Sequence, residues 1–320
     1  MAGLARRERE GSGDVSNRFD IAVIGGGITG LTAAHHAALG GASVVHVRGE
    51  DLPGGLIGNV GRIEGFPSGG RDVSGADLAL GIAEANKALG VEDLAENAAA
   101  VEKAARGFSI ATDGRTIRAG QVIAATGARL KALDVPGAEA LEGKGVSQCA
   151  WCDGALNRGR DVVVLGAGDA ALEAALYLAP LARQVTVVTH GDGVRGRQAY
   201  VTRLADHENV DFRWACEVTE IVGENGVEAV RIRDTESGGT EDLPCYGVFV
   251  FIGQEPNSEM FAGLVERDEA GRILTDAGLE TSCEGLFAAG AVRAGYGGRL
   301  VQAVGEAATA ANAAVARCED

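Results

Sequence analysis

The chain is short of aromatic residues, which make up 4% of its 320 positions, and it holds only 6 prolines and 2 methionines. Any core must be built from Ala, Val, Leu and Ile, and a hydrophobic content of 46% is enough to build one. No apolar run reaches the roughly 18 residues of a membrane span, so no membrane partner is expected. Positive charge is scarce: 29 Lys and Arg face 45 Asp and Glu, for a formal charge of −16 and a pI near 4.8. That balance argues against nucleic acid or an anionic membrane as a partner. The stretch Met1 to Asn17 is polar and charged and lacks an apolar signal core. Residues 1–16 are expected to be a disordered leader. The 6 cysteines are largely unclustered, which with no export signal points to a reducing cytoplasm.

Two cysteines do lie together, in Cys149-Ala150-Trp151-Cys152-Asp153-Gly154. A Cys-x-x-Cys pair can close a small disulfide ring and pass two electrons by thiol–disulfide exchange. It can also be half of a zinc site. Cys216, Cys245, Cys283 and Cys318 stand alone, with no second such pair and no His pair. A four-ligand structural zinc site is therefore disfavoured, and no metal is expected.

The glycines, 49 in number, organise the rest. The apolar run Phe19 to Ile24 leads into Gly25-Gly26-Gly27-Ile28-Thr29-Gly30, then Ala-rich helical sequence, then a strand from Ala42 to Val47. The pattern recurs: Asp161 to Leu165, then Gly166-Ala167-Gly168-Asp169-Ala170-Ala171, a helix through Leu178 and a strand from Gln184 to Val188. Each is the opening βαβ unit of a dinucleotide fold. Glycines there let the backbone turn tightly and approach a pyrophosphate, whose charge then rests on the helix N-terminus. Further apolar strands end in Thr126-Gly127-Ala128 and in Phe287-Ala288-Ala289-Gly290, the latter followed by an Ala-rich helix from about Val301 to Ala316. That last strand and helix complete the first fold. The expected class is α/β: two tandem Rossmann-like dinucleotide-binding domains, the second inserted into the first. The boundaries read as residues 17–130 plus 255–320 for the first domain and 131–254 for the second, which carries the cysteine pair.

With these residues the chain resembles the low-molecular-weight thioredoxin reductases from Phe19 to Ala316. The two Gly loops, Pro53-Gly54-Gly55, Ile63-Glu64-Gly65-Phe66-Pro67, Thr126-Gly127-Ala128, the cysteine string, Phe251 to Asn257 and Phe287 to Gly290 all match. The resemblance implies FAD in the discontinuous domain, against Gly25, Gly27, Gly30, Gly54, Gly55, Thr126, Gly127, Gly290, Ala291, Arg299 and Leu300. It implies NADPH or NADH in the inserted domain, against Gly166, Gly168, Asp169, Ala170 and Arg195. It also implies a homodimer. Electrons would run from nicotinamide through flavin to a Cys149–Cys152 disulfide, and on to a thioredoxin-like protein or a small-molecule disulfide. Cys152 would lie nearer the flavin and Asp153 would handle the thiol proton. A turn role for Asp153, beside Gly154, is the competing reading.

Four departures from the family pattern cluster around these sites. The Arg pair that NADPH-using members carry after the second strand of the inserted domain is His190-Gly191 here, and only Arg195 of the family's cations remains, with Arg197 close by. A 2′-phosphate takes cationic partners and a free 2′-hydroxyl takes a carboxylate. Neither Thr189 nor His190 is acidic, so the choice between NADPH and NADH is open. Ala291 replaces an Asp that contacts the flavin's ribityl chain, and Leu300 replaces a Gln. Trp151 stands inside the ring segment where a small residue is usual, either as packing or as a platform beside the disulfide. Two alternatives follow: a flavin-dependent dithiol oxidase, or a relative that works without nicotinamide. A redox sensor without turnover is disfavoured by the intact Cys-x-x-Cys-Asp. His35 and His36 read as structural, Cys216, Cys245 and Cys283 as packed small hydrophobes, and Cys318 as exposed.

Overall fold

The computed structural model describes residues 18–66 and 73–318. The expected leader, residues 1–16, and Pro67 lie outside the described residues. The chain divides into two compact units. One gathers Met1–Gly58, Arg62–Ala128 and Pro256–Asp320; the other gathers Asn59–Gly61 and Arg129–Glu255.

The chain opens with β1 (Arg18–Ile24), α1 (Ile28–Leu39), β2 (Val44–Val47), α2 (Gly75–Ala88), β3 (Glu92–Leu94), β4 (Ala98–Lys103), β5 (Phe108–Thr112) and β6 (Thr116–Ala124). After the short strand β7 (Ala128–Leu130) come β8 (Val146–Ser147), α3 (Ala150–Asp153), β9 (Asp161–Leu165), α4 (Asp169–Leu178), β10 (Gln184–Val188), α5 (Gln198–Leu204) and β11 (Val210–Arg213). Next are β12 (Cys216–Val222), β13 (Ala229–Asp234), β14 (Thr240–Pro244), β15 (Gly247–Val250) and β16 (Gln254–Pro256), which pairs with β7. The chain finishes with β17 (Leu286–Ala288) and α6 (Leu300–Ala316).

In the first unit β3, β2, β1, β6 and β17 run parallel, and β4 and β5 add an antiparallel edge to β6. Ile21 to Ile24 and all of β2 are buried, as strands covered on both faces must be. With few aromatics available, the cover is thin and close. Ala33, Ala34 and Ala37 of α1 share a core with Ala307, Ala310, Ala311 and Ala314 of α6. The β17–α6 pair, distant in sequence, thus belongs to the sheet that β1 begins.

The second unit repeats the plan with a parallel sheet in the order β11-β10-β9-β15-β8. A three-stranded antiparallel sheet, β12-β13-β14, shares a core with it that includes Cys216 and Cys245. The acidic stretch near Glu236 forms the β13–β14 turn, where the Asp234 carboxylate accepts the N–H groups of Glu236 at 2.9 Å and Ser237 at 2.7 Å. Among the described residues no helix is long and apolar enough to cross a membrane.

Candidate active site

In the first unit the loop after β1 is shaped by glycine. Gly25 has φ of +122°, and a Cβ there or at Gly30 would collide with the backbone at Ala125 or at Gly25 itself. Gly27 caps α1 without a side-chain hydrogen bond, which leaves the helix N-terminus to an anion. Gly54 has φ of +127° and donates its N–H to Gly26 O at 2.8 Å, while a Cβ on Gly55 would lie 3.1 Å from Gly27 Cα. Thr126 and Asn257 tie two chain segments together: Thr126 Oγ1 donates to Asn257 O at 2.6 Å and Asn257 Nδ2 donates to Thr126 O at 3.0 Å. Asn257 N–H reaches Gly127 O at 3.0 Å. Gly290 packs its backbone on Thr29 in the first turn of α1. Ala291 is half-buried in the turn after β17, Arg299 is exposed at the N-cap of α6, and Leu300 begins that helix. These residues gather at the carboxyl ends of β1, β6 and β17, where α/β sheets bind ligands. The cradle fits a dinucleotide: glycine lets the backbone segments close on one another beside a helix N-terminus that carries no side-chain cap.

One residue of this site escapes a reading of sequence alone. His46, in the middle of β2, is 1% exposed, and its Nε2 donates to Gly25 O at 2.9 Å. Burial pushes its pKa below the ordinary histidine value, against smaller opposing contributions from the Gly25 bond and Asp93. The signal was present as one polar residue in an apolar strand.

In the second unit Gly166 has φ of +122° and would clash with Phe251 O if it bore a Cβ. Gly168 caps α4 without a side-chain bond, and Asp169 and Ala170 form its first turn. The segment after β10 folds back over this loop: the N–H groups of Arg195 and Gly196 donate to Ala167 O at 2.9 and 3.1 Å. His190 and Arg195 are exposed. Arg197 turns to the N-terminus of α4. Its N–H and its Nε both bond the Asp169 carboxylate, at 2.7 and 3.0 Å, so it neutralises the acid at the helix end.

Cys149 and Cys152 form a disulfide with Cα atoms 5.3 Å apart. A helix begins inside the pair: Cys149 is the N-cap of the single-turn α3, and its Sγ accepts the Cys152 N–H at 3.1 Å. Asp153 Oδ2 accepts a 2.6 Å hydrogen bond from Ser147 Oγ, and that oxygen accepts the Cys149 N–H at 3.0 Å. Ser147, which no motif marks, thus orients the carboxylate toward the disulfide segment. Trp151 lies on Tyr177 of α4, with ring centroids 3.9 Å apart, and keeps 37% of its surface exposed. Cys216 and Cys245 are buried, Cys283 is half-buried and Cys318 is exposed. Burial pushes the Cys245 thiol up to about 12, which makes it a poor nucleophile. His35 bonds Asn86 Oδ1 at 2.9 Å in the helical layer of the first unit.

Residues 19–314 match the family model for pyridine nucleotide-disulphide oxidoreductases. The chain is 36% identical to the thioredoxin reductase of Bacillus subtilis over 294 residues, 92% of each chain. It is similar to the crystal structure of Lactococcus lactis thioredoxin reductase, with a TM-score of 0.90 and 32% identity over 94% of this chain and 99% of that one. It is also similar to a ferredoxin–flavin thioredoxin reductase from Clostridium acetobutylicum, at a TM-score of 0.50 and 28% identity over 94% of this chain and 98% of that one. Two dinucleotide folds, a glycine cradle and a Cys-x-x-Cys disulfide backed by an acid therefore have one family in common: the chain belongs to the pyridine nucleotide-disulphide oxidoreductases, as a thioredoxin reductase-like flavoprotein disulfide oxidoreductase.

Proposed function

We propose that this protein reduces the disulfide of a thioredoxin-like protein, using electrons from NADPH or NADH. The observation that carries the reading is the Cys149–Cys152 disulfide with Asp153 held beside it by Ser147. Relatives named thioredoxin reductase, covering nearly the whole chain, support the acceptor class. FAD would be held in the first unit by the loops at Gly25–Gly30, Gly54–Gly55, Thr126–Gly127 and Gly290–Ala291, with Arg299 and Leu300 at its edge. When bound, FAD supplies two-electron exchange with the disulfide. The nicotinamide nucleotide would rest on Gly166, Gly168, Asp169 and Ala170, with Arg195 as its cation.

In the reduced state the two thiols do the chemistry. The Cys149 thiolate attacks one sulfur of the acceptor disulfide, forming a mixed disulfide and releasing one acceptor thiolate. Cys152 then attacks Cys149 Sγ, re-forms the protein disulfide and releases the second acceptor thiolate. The dithiol loses two electrons, and the acceptor gains two electrons and two protons. The Cys152 N–H already points at Cys149 Sγ and favours a thiolate there. Asp153 moves the proton at the thiol, in the position Ser147 sets for it. The working unit is a homodimer, to be checked by sedimentation.

A second reading concerns the donor. Where the family's cationic pair would stand are His190 and Gly191, and Arg197 is committed to Asp169. That supports poor nicotinamide use, with another donor in its place: a small dithiol for an oxidase, or a protein donor as the name of the Clostridium acetobutylicum relative indicates for that enzyme. Anaerobic mixing decides. Fast bleaching of the bound flavin by NADPH or NADH supports the first reading. Bleaching only by dithiols supports the oxidase, and no bleaching by either supports a protein donor.

A further inference from the structure

The turn after β17 is stapled from behind by two side chains of α6. Glu306 Oε2 accepts the Gly290 N–H at 2.8 Å. Its Oε1 accepts from Arg293 Nη1 at 2.7 Å and from Gln302 Nε2 at 2.8 Å. Gln302 goes on to hold the rest of the loop: its Oε1 accepts the Gly297 N–H at 2.7 Å and its Nε2 donates to Gly295 O at 3.1 Å. Arg293 is braced in turn by Nε donating to Thr275 Oγ1 at 3.1 Å. On the other side of Gly290 stands Thr29 of α1's first turn, so close that no Cβ would fit between them.

The Glu306–Arg293 pair is largely buried, at 10% and 15% side-chain exposure. A buried ion pair contributes little net stability over an apolar packing of equal volume. What it does supply is direction: one carboxylate converges on donors from the loop and from its own helix, and so fixes where the loop stands. The loop runs from Gly290 to Arg299 and holds the residues placed against FAD above.

We propose that Glu306, assisted by Gln302, is a positioning residue for FAD, fixing the Gly290–Ala291 turn against the first turn of α1 so that the cofactor meets a wall already formed. Arg293 cancels its charge, which allows an acid to stand behind a site that receives a pyrophosphate. The inference rests on the placement of FAD in the first unit.

The test is FAD affinity of the apo-protein, read by quenching of flavin fluorescence, together with the visible circular dichroism of the bound flavin. Glu306→Leu removes the acceptor for Gly290 N–H and should weaken FAD binding roughly tenfold to a hundredfold. Glu306→Gln keeps an oxygen for that N–H while losing the charge, and should stay within a few-fold of the parent with the same dichroism. A role confined to charge pairing with Arg293 would make the two variants equally damaging, because both remove the charge that the guanidinium faces. Equal damage, or undiminished affinity in Glu306→Leu, overturns the proposal. Should Glu306→Leu fail to fold, Gln302→Leu takes its place: it should weaken FAD binding and alter the dichroism, and unchanged values overturn the proposal. Gly30→Ala separates the underlying placement from the inference. If the parent binds FAD and Gly30→Ala binds it equally well, the placement in the first unit fails whatever Glu306 does.

Discussion

The Nε of Arg197 lies 3.0 Å from Asp169 Oδ2, and the backbone N–H of the same residue donates to Oδ1 at 2.7 Å. One arginine thereby neutralises the acid at the N-terminus of α4 and anchors the loop that follows β10 over the second glycine turn. Arg195, two residues earlier, is exposed. On the proposed placement of the nucleotide the two cations have different tasks, which separates two kinds of nucleotide affinity. Arg197→Ala should weaken NADH and NADPH alike, since an uncompensated Asp169 repels the pyrophosphate both carry. Arg195→Ala should weaken NADPH alone, by roughly tenfold, the worth of one charged hydrogen bond. Apparent Michaelis constants for both nucleotides check this; a selective loss of NADPH in Arg197→Ala would refute the division.

With only Arg195 left for a 2′-phosphate, the parent protein should use NADPH and NADH comparably or both poorly. His190→Arg with Gly191→Arg should improve NADPH and leave NADH nearly unchanged. A parent that already prefers NADPH by about a thousandfold, near 4 kcal/mol, would mean that other residues hold the phosphate.

Cys149→Ser should abolish disulfide reduction while the flavin stays bound, and the thiol titre should no longer change by two on reduction. Asp153→Asn should lower turnover by roughly a hundredfold or more if Asp153 is the acid–base group. Ser147→Ala leaves the carboxylate but frees it, so a smaller loss, on the order of tenfold, is expected. Full turnover in Asp153→Asn returns that residue to a turn role.

His46 gives a pH dependence of stability. Its folded pKa lies below the value in the unfolded chain, so between the two the unfolded state binds the extra proton. Stability should therefore be complete above about pH 6.5 and decline as pH falls below it. His36 is shifted the same way, by burial and by the neighbouring His35, and adds to the slope. His46→Gln keeps a donor for Gly25 O without titrating. Its melting temperature should fall less steeply than the parent's between about pH 7 and 5; identical slopes would show that His46 does not titrate there.

Much of this architecture was legible in the chain because it is written locally. A strand buried on both faces is an apolar run, and a turn that must admit a pyrophosphate is a short-range pattern of glycines. Gly25, Gly27 and Gly30, or Gly166 and Gly168, announce themselves by spacing. So does a Cys-x-x-Cys ring. The acid beside it and the strand–helix pair that returns to the first sheet could also be read off in order, while the missing Arg pair showed only against the family that the chain resembles.

What tertiary structure alone decided are contacts between residues that no spacing joins. His46 lies beneath Gly25, Ser147 turns Asp153, Arg197 closes on Asp169, and Glu306 reaches Gly290 from a helix that follows it. Each is a polar group whose partner is set by how elements pack. Hydrophobic periodicity selects the face that is buried, but not which buried donor will meet which acceptor. Packing likewise set the start of α3 inside the cysteine pair and placed Arg197 on Asp169. Local pattern thus determined the fold and the chemistry-bearing atoms, while the aim of those atoms came from packing.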